Sequence, residues 1–219
     1  MAISRVVINE MLDDLPPEDP AAQRSRRDLA RINALMGNFR WVTRKIMDDP
    51  GLRQKLPQES LRIVEIGAGE GGLGRKLAAR IPGAEVLGID RMPPPEDLPK
   101  GMSWQRGDLF EALSTCQGDI LVGVMILHHF EDGRLSELQP CLANFRRLCF
   151  CEPWRSWQAL CLAQGMTPVV GPVTRHDMPA SIRAGFLPGE LSGLLGLDAW
   201  QVRETVDWRG SLRIQAWRP

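Results

Sequence analysis

The sequence lacks several features that would indicate a particular class of protein. It contains no tyrosine, from which nothing about function follows, and no apolar run that approaches the length of a membrane span. Neither sign of charge predominates, since lysine plus arginine and aspartate plus glutamate number 27 each. Neither nucleic acid nor an anionic membrane is therefore indicated as a partner. The first ten residues lack a signal-peptide pattern, and we expect a cytoplasmic protein without membrane insertion.

Cysteine is present in an odd number and without the spacing of a metal site. The five cysteines include Cys149 and Cys151 in an apolar strand pattern, where alternation sends the two side chains to opposite faces. Reduced thiols explain this pattern better than metal ligands, so we predict no metal. With 219 residues, 43% of them hydrophobic, the chain can form one sizeable α/β core.

A glycine-rich stretch organises the chain. Residues 63–66 form a short apolar strand pattern that carries Glu65 near its carboxyl end. Gly67, Gly69 and Gly71 follow, and a helical spacing begins at Leu73. Glycines allow positive φ and close approach of a ligand, while the helix behind them directs free N–H groups towards it. The stretch therefore predicts a cradle for a nucleotide-type cofactor.

Two cofactors fit the glycines. Gly67, Gly69 and Gly72 satisfy the dinucleotide pattern G-x-G-x-x-G, and Asp90 lies where a ribose-binding acid is expected. This favours an NAD(P)-binding oxidoreductase. Glu65 argues against it, because a carboxylate beside the turn repels a pyrophosphate but attracts a cationic ligand such as an ammonium group.

The remaining pattern alternates strands and helices, as in a doubly wound parallel sheet. An amphipathic helix is predicted from Pro20, capped by Asp19, with a bend or break at Gly37. Another helix is predicted over residues 135–147. The further predicted strands cover residues 84–90, 102–106, 119–124, 148–152, 200–206 and 212–217.

Four motifs in this order resemble those of the class I S-adenosylmethionine-dependent methyltransferases. They are Glu65-x-Gly67-x-Gly69-x-Gly71, Gly107-Asp108-Leu109, Leu127-His128-His129-Phe130 and Glu152-Pro153, and the resemblance covers roughly residues 60–155. It implies S-adenosylmethionine as cofactor and S-adenosyl-L-homocysteine as product. The residues that would bind the cofactor are Glu65, Gly67, Ala68, Gly69, Gly71, Asp90, Arg91, Gly107, Asp108, Leu109 and Met125.

In detail, the Asp90 carboxylate suits the two ribose hydroxyls, because it can accept two hydrogen bonds. By resemblance, Asp108 accepts from the adenine amine and the backbone of Leu109 contacts the ring. The resemblance also implies a seven-stranded Rossmann-like sheet with an antiparallel last strand and helices on both faces. We expect one domain, with an N-terminal helical cap over residues 1–58, a cofactor core over 59–155, a substrate-side insert over 156–190, and a closing helix and hairpin over 191–219.

The acceptor side is predicted from two segments, residues 20–47 and 172–186, which we expect to face each other across the acceptor pocket. Proton removal from a hydroxyl acceptor calls for a general base, and histidine is suited to that. The chain has three histidines, with His129 favoured over His176 and His128. The residues expected to bind the substrate are Met36, Phe39 and Trp41 as an apolar wall, and Arg175, Asp177 and Arg183 as polar groups.

These observations predict methyl transfer to a small molecule, at an oxygen of a polyketide-, phenol- or lipid-like metabolite. Parts of residues 22–47 and 176–186 also resemble bacterial small-molecule methyltransferases. The alternatives are the NAD(P)-binding oxidoreductase and a methyltransferase-like protein that binds without catalysis. We expect a monomer or a homodimer, with a small-molecule acceptor as the only partner.

Overall fold

A seven-stranded sheet with the order β3-β2-β1-β4-β5-β7-β6 organises the computed structural model, which describes residues 3–55 and 60–218. Strands β1 to β5 are parallel, whereas β7 runs antiparallel to both β5 and β6. The predicted sheet with an antiparallel last strand is thereby confirmed. Its strands are Leu61–Ile66 (β1), Ala84–Asp90 (β2), Met102–Arg106 (β3), Ile120–Val124 (β4), Arg147–Pro153 (β5), Gln201–Asp207 (β6) and Ser211–Trp217 (β7).

Helices surround this sheet. In chain order they are Met11–Asp14 (α1), Pro20–Met36 (α2), Asn38–Met47 (α3), Pro50–Lys55 (α4), Gly72–Arg80 (α5), Leu109–Thr115 (α6), Asp132–Ser136 (α7), Gln139–Leu142 (α8), Trp157–Met166 (α9), Pro172–Ala184 (α10) and Glu190–Leu194 (α11). Two 3₁₀ helices, Leu127–His129 and Leu197–Ala199, complete them. Within the described part of the chain, no helix is both long enough and apolar enough to cross a membrane.

The helix ends follow from particular residues. The Asp19 side chain accepts from the N–H groups of Ala21 and Ala22 at the start of α2, which confirms the predicted cap. Gly37, at φ 70°, separates α2 from α3 because glycine adopts this left-handed conformation without a Cβ penalty. The single helix predicted over residues 135–147 is wrong. Pro140 lies in the first turn of α8, a position that needs no N–H, and the chain forms two short helices there.

Both faces of the central strands are buried, which explains why these strands are almost entirely apolar. Ile63 and Val122 belong to one core cluster, with the α3 residue Val42 and the α5 residue Leu77. Ile66 and Phe150 belong to the other, together with residues of α6, α8 and the C-terminal strand β7. The order of the sheet reverses at β1, which pairs with β2 on one side and β4 on the other. In open α/β sheets, ligands bind beyond the carboxyl ends of the strands at such a point.

The first residues of the chain form an arm that is bonded to later elements. Arg155 Nε donates to the carbonyl of Ile3 (2.7 Å), and the N–H of Val6 donates to the carbonyl of Arg183 (3.2 Å). The short helix α1 packs against α10. This arm, residues 3–15, therefore lies over α10 and the turn that follows β4.

Candidate functional site

The turn after β1 has the backbone conformation that its glycines predict. Gly67, Gly69 and Gly71 have φ angles of 63°, 55° and 74°, a region that residues with a Cβ rarely adopt. A Cβ at Gly67 would lie 2.5 Å from Cγ1 of Ile126, whereas one at Gly69 would meet nothing within 4 Å. At Gly67 the turn is therefore packed against Ile126, which follows β4, whereas at Gly69 there is free space beside the backbone. Helix α5 begins directly behind it without a side-chain cap.

Glu65 lies beneath this turn with its carboxyl group inside the protein. The residue is only 3% exposed, and its Oε2 has no hydrogen-bond partner. Burial raises the pKa of Glu65 to about 8; the N–H of Gly74 acts in the opposite direction, and the charge of Asp90 adds to the increase. A buried carboxyl oxygen without a partner is costly, and a cation placed over the turn would compensate it.

Asp90 braces the glycine turn from the end of β2. Its Oδ2 accepts from the N–H of Gly69 (2.7 Å) and its Oδ1 accepts from the N–H of Met92 (2.8 Å). Each carboxylate oxygen has a second lone pair, so both remain able to accept from a ligand. The structure therefore brings Asp90 to the turn as predicted, and its role as a ribose ligand stays a prediction.

Asp108 has partners of its own in the structure. It caps α6 by accepting from the N–H of Phe110 (2.9 Å), and its Oδ2 pairs with Arg91 (3.0 Å), whose side chain is 76% exposed. Burial raises the pKa of Asp108, but the bonds from Arg91 and from backbone N–H groups outweigh it and lower the pKa overall. Asp108 is therefore ionised and able to accept from an adenine amine. Neither that contact nor a cofactor contact of Arg91 is tested, and both stay predictions.

Three other residues that were predicted to bind the cofactor can offer a ligand mainly their backbone. The N–H of Ala68 donates to the carbonyl of Ile89 (3.2 Å), and the N–H of Gly107 donates to that of Asp90 (2.9 Å). The side chain of Leu109 is buried in the core. Only its main chain remains for contact with a ligand, which agrees with the backbone role assigned to it.

Met125, the last of these residues, is the only non-glycine with positive φ (56°) among the described residues. Its N–H donates to the carbonyl of Cys151 (2.8 Å), which fixes the chain immediately after β4. Such a conformation costs on the order of 1–3 kcal/mol and is concentrated at functional sites. It directs the chain into the turn that carries Ile126 and the two adjacent histidines.

His128 is held by two carboxylates. Its Nδ1 lies 2.8 Å from Oε2 of Glu152, a fully buried residue, and its Nε2 lies 3.6 Å from Oε1 of Glu10. Burial alone would lower the pKa of His128, but the neighbouring carboxylates of Glu10 and Glu152 raise it to about 9. Glu152 also accepts from the N–H groups of Ile126, Leu127 and His128. It thus fixes both the turn and the orientation of the ring.

His129 is the more accessible of the pair, with 24% of its side chain exposed. Its Nδ1 lies 3.3 Å from Oδ2 of Asp13, and its Nε2 lies 4.0 Å from Oε2 of Glu10. The two imidazole rings are 4.4 Å apart between centroids. Glu10 is itself buried and accepts from the hydroxyl of Ser181. The Glu10 carboxylate of the arm therefore lies near both histidines, and Asp13 adds a second carboxylate beside His129.

His176 lies on α10 with its side chain 52% exposed, and its Nδ1 is 2.9 Å from Oδ1 of Asp177. Asp177 also accepts from the N–H groups of Met11 and Leu12, so its carboxylate joins the arm to α10. A substrate role for Asp177 stays a prediction, as does a catalytic role for His176.

The predicted substrate segments lie against each other, because α2 and α10 are in direct contact. Thr174 Oγ1 donates to Ser25 Oγ (2.9 Å), and the N–H of Gly171 donates to Asp28 Oδ2 (2.7 Å). At these contacts the segments form one packed pair of helices, and their placement on either side of an acceptor pocket stays a prediction.

The individual substrate residues are distributed along these segments. Phe39 and Trp41 pack against the core, with the Phe39 ring 3.2 Å from a Cβ position at Gly72, beside the glycine turn. The carbonyl of Met36 accepts from Arg213 (2.6 Å). Arg175 and Arg183 are exposed and donate to nearby carbonyls of Thr167 and Pro179.

Sequence reasoning missed the acid that the arm brings to the histidines. Glu10 lies in a segment without a motif, and nothing near it in the sequence indicates that it reaches His128 and His129. Glu152 was noted only as part of Glu-Pro after β5. Its position at the end of a strand adjacent to β4 was the signal that could have placed it beside the turn.

Comparison with known proteins gives structural matches only. No protein-family model and no curated protein matches the sequence. The plantazolicin methyltransferase BpumL, solved with SAH, is similar at a TM-score of 0.66 and 11% identity over 92% of each chain. Its counterpart BamL, solved with a triazolic desmethylPZN analog and SAH, is similar at a TM-score of 0.70 and 11% identity, over 94% of this chain and 92% of BamL.

Human N-acetylserotonin methyltransferase, solved with SAM, is similar at a TM-score of 0.57 and 15% identity. The match covers 96% of this chain but 63% of the human one. At such identities the likeness establishes the fold. The chain has the class I methyltransferase fold, with the strand order described above.

Proposed function

We propose that this protein transfers the methyl group of S-adenosylmethionine to an oxygen of a small-molecule acceptor of polyketide-, phenol- or lipid-like character. The observation that carries the proposal is Glu65. Its carboxyl group is buried beneath an open glycine turn and has one oxygen without a partner. The ammonium of the cofactor's amino acid end would supply the missing cation, whereas the pyrophosphate of NAD would add negative charge.

The other cofactor contacts follow from the chain's own groups. Asp90 offers one free lone pair on each oxygen to the ribose hydroxyls, and Asp108 offers its ionised carboxylate to the adenine amine. The N-terminus of α5, which has no side-chain cap, points N–H groups towards the carboxylate end of the cofactor. The sulfonium is already activated, so the protein's main task is to align donor and acceptor.

On the acceptor side, the proton of a hydroxyl acceptor would be handled at the His128–His129 pair. Three residues separate the end of β4 from this pair. One of them, Ile126, packs against Gly67 of the cofactor turn. Of the two rings, His129 is the one open to solvent, because His128 is buried between Glu10 and Glu152. His176 is more distant in the chain and lies on the exposed surface of α10.

Calorimetric titration with S-adenosylmethionine, S-adenosyl-L-homocysteine, NAD⁺ and NADPH tests the cofactor. We expect both adenosyl compounds to bind to the wild type, and the Glu65→Gln variant to bind them more weakly. An Asp97→Ala variant is the matched control, because Asp97 is an exposed acid in the loop that follows β2. Tight binding of NAD⁺ with none of the methyl donor would reject the proposal.

Turnover is tested separately, with formation of S-adenosyl-L-homocysteine as the readout and a panel of phenols, hydroxylated polyketides and hydroxy fatty acids as acceptors. We expect methylation at an acceptor hydroxyl in at least one of these classes. Cofactor binding without product across the whole panel would instead support the methyltransferase-like binding protein.

A further inference from the structure

We propose that Glu10, His128 and His129 bind a divalent metal ion of the zinc type. One ligand atom of each residue lies within 4.8 Å of the others, which is the arrangement of groups around a single ion. Two imidazoles and one carboxylate form a ligand set that Zn²⁺ accepts, and a three-residue set leaves one coordination position open.

The distances within the cluster support an ion between the ligands rather than direct hydrogen bonds. Glu10 is 3.6 Å from Nε2 of His128 and 4.0 Å from Nε2 of His129. A hydrogen bond to a carboxylate is shorter, at about 2.7–2.9 Å. Two ligands that each lie about 2.1 Å from a tetrahedral ion are about 3.4 Å apart. The separation between Glu10 Oε1 and His128 Nε2 is close to this value, whereas that between Glu10 Oε2 and His129 Nε2 is longer.

Both rings are already oriented for such an ion. Nδ1 of His128 is 2.8 Å from Glu152, and Nδ1 of His129 is 3.3 Å from Asp13. Metal-binding histidines almost always donate the N–H of the other ring nitrogen to a carboxylate or carbonyl, which fixes the tautomer. Nδ1 of His128 has such a hydrogen-bonded partner, Nδ1 of His129 lies at ion-pair distance from one, and both Nε2 atoms lie within 4.0 Å of Glu10.

The charge and the location of this cluster also favour a divalent metal ion. Glu10, Asp13 and Glu152 bring three carboxylates to two imidazoles, and Glu10 and Glu152 are buried. A dication would balance this excess of negative charge in a site with little access to water. The exposed side of His129 and Asp13 provides a route for the ion, and the open coordination position could take water or an acceptor oxygen.

The inference deepens the proposed function, because a metal at the histidine pair would activate an acceptor hydroxyl directly, but its test does not depend on methyl transfer. The metal was not predicted from the sequence, where only cysteine spacing was considered. Glu10 and the histidine pair are far apart in the chain, and the arm brings them together.

The experiment uses the full chain carrying Cys161→Ser, which removes the exposed thiol as a competing ligand. The protein is treated with a chelator, titrated with Co²⁺ and Zn²⁺ by calorimetry, and examined by visible absorption and elemental analysis. We expect one ion per chain, visible Co²⁺ bands and no thiolate charge-transfer band. Glu10→Gln and His129→Gln should each lower the affinity by more than about 100-fold, whereas Asp13→Asn, which removes only the orienting carboxylate, should lower it by about tenfold.

His176→Gln is the matched control, since His176 also contacts a carboxylate but has no second histidine beside it. Its affinity should equal that of the parent, and circular dichroism establishes that each variant is folded. Failure to bind either ion, or equal binding by His129→Gln and the parent, overturns the proposal. Titration of the same samples with S-adenosylmethionine separates the hypotheses: cofactor binding without metal rejects only this inference, and metal binding without cofactor rejects only the proposed function.

Discussion

The cofactor side and the acceptor side of this molecule are built in different ways. The glycine turn, Glu65, Asp90 and Asp108 lie within one continuous stretch of strands and turns around β1, β2 and β3. The histidine cluster combines the N-terminal arm, the turn after β4, the end of β5 and helix α10. The first is determined by local backbone geometry, and the second by contacts between residues distant in sequence. Ile126 connects them, because its side chain packs at Gly67 and its N–H donates to Glu152.

Glu152→Ala has the largest expected effect and tests that connection. It leaves three N–H groups and a histidine ring without their carboxylate, and removing one partner of such a buried network costs about 3–5 kcal/mol. We expect a lower free energy of unfolding by denaturant and weaker binding of S-adenosylmethionine. Glu137→Ala, at an exposed acid, is the control. If stability falls and cofactor affinity does not, the two sides are independent.

Gly67→Ala should damage the cofactor side by local geometry alone. The added Cβ would meet Ile126 at 2.5 Å in a backbone conformation with φ of 63°. We expect a loss of about 2–5 kcal/mol in stability, from strain of about 1–2 kcal/mol and overpacking of about 1–3 kcal/mol. Gly83→Ala is the matched control, because Gly83 has φ of 80° but open space around its Cβ position. Equal losses in both variants would show that the contact with Ile126 is unimportant.

The pH dependence of cofactor binding should distinguish Glu65 from the other acids. Because its pKa is raised to about 8, the group is mostly protonated at pH 6, and binding of an ammonium ion must release that proton. Affinity should therefore increase by roughly tenfold or more between pH 6 and pH 8, and the increase should be absent in Glu65→Gln. Calorimetry in buffers of different ionisation enthalpy measures the proton released.

Glu65 should also affect the stability of the cofactor-free protein, but here a rise in pH should be unfavourable. A carboxyl group whose folded pKa is raised stabilises the fold below its unfolded pKa, and this contribution is lost as pH rises towards 8. The melting temperature of the cofactor-free protein should therefore fall between pH 5 and pH 8 more steeply than that of Glu65→Gln. If the melting temperatures of the two proteins changed with pH in parallel, the titrating group would not be Glu65.

Asp90→Ala should weaken binding of S-adenosylmethionine by about 1.5–3 kcal/mol, the usual scale for hydrogen bonds to a charged group. The variant also removes the bond that braces Gly69, so the melting temperature is measured alongside the affinity. Asp97→Ala again serves as the exposed control. An unchanged affinity would mean that the ribose contact lies elsewhere.

Arg91→Ala has the smallest expected effect, because its pair with Asp108 is mostly exposed and such pairs contribute about 0–1 kcal/mol. Loss of the pair frees Asp108 for the adenine amine, so cofactor affinity should stay within about threefold of the wild type. A large loss in affinity would show instead that the arginine itself contacts the cofactor.

The cofactor side could be predicted from sequence because its signals are local. Strands β2 and β3 have the predicted bounds, and the positive φ angles fall at the predicted glycines. The acceptor side could not be predicted in the same way. Helix periodicity placed residues 135–147 in one helix, where Pro140 enforces two, and the polar residues 172–186 form a helix that packs directly on α2. The contact between Glu10 and the histidines depends on tertiary packing, for which the sequence near Glu10 carries no signal.

The positions of the arm's partners determine the order in which the molecule can assemble during synthesis. Strands β1 to β4 and the glycine turn are complete once residue 124 has emerged from the ribosome. The arm precedes these strands in the chain, yet groups that bind it, among them Arg155, Asp177 and Ser181, are made after them. Until then the Glu10 carboxylate stays in water, where its charge is solvated at no cost. The arm can consequently close over the histidines only after α10 has been made.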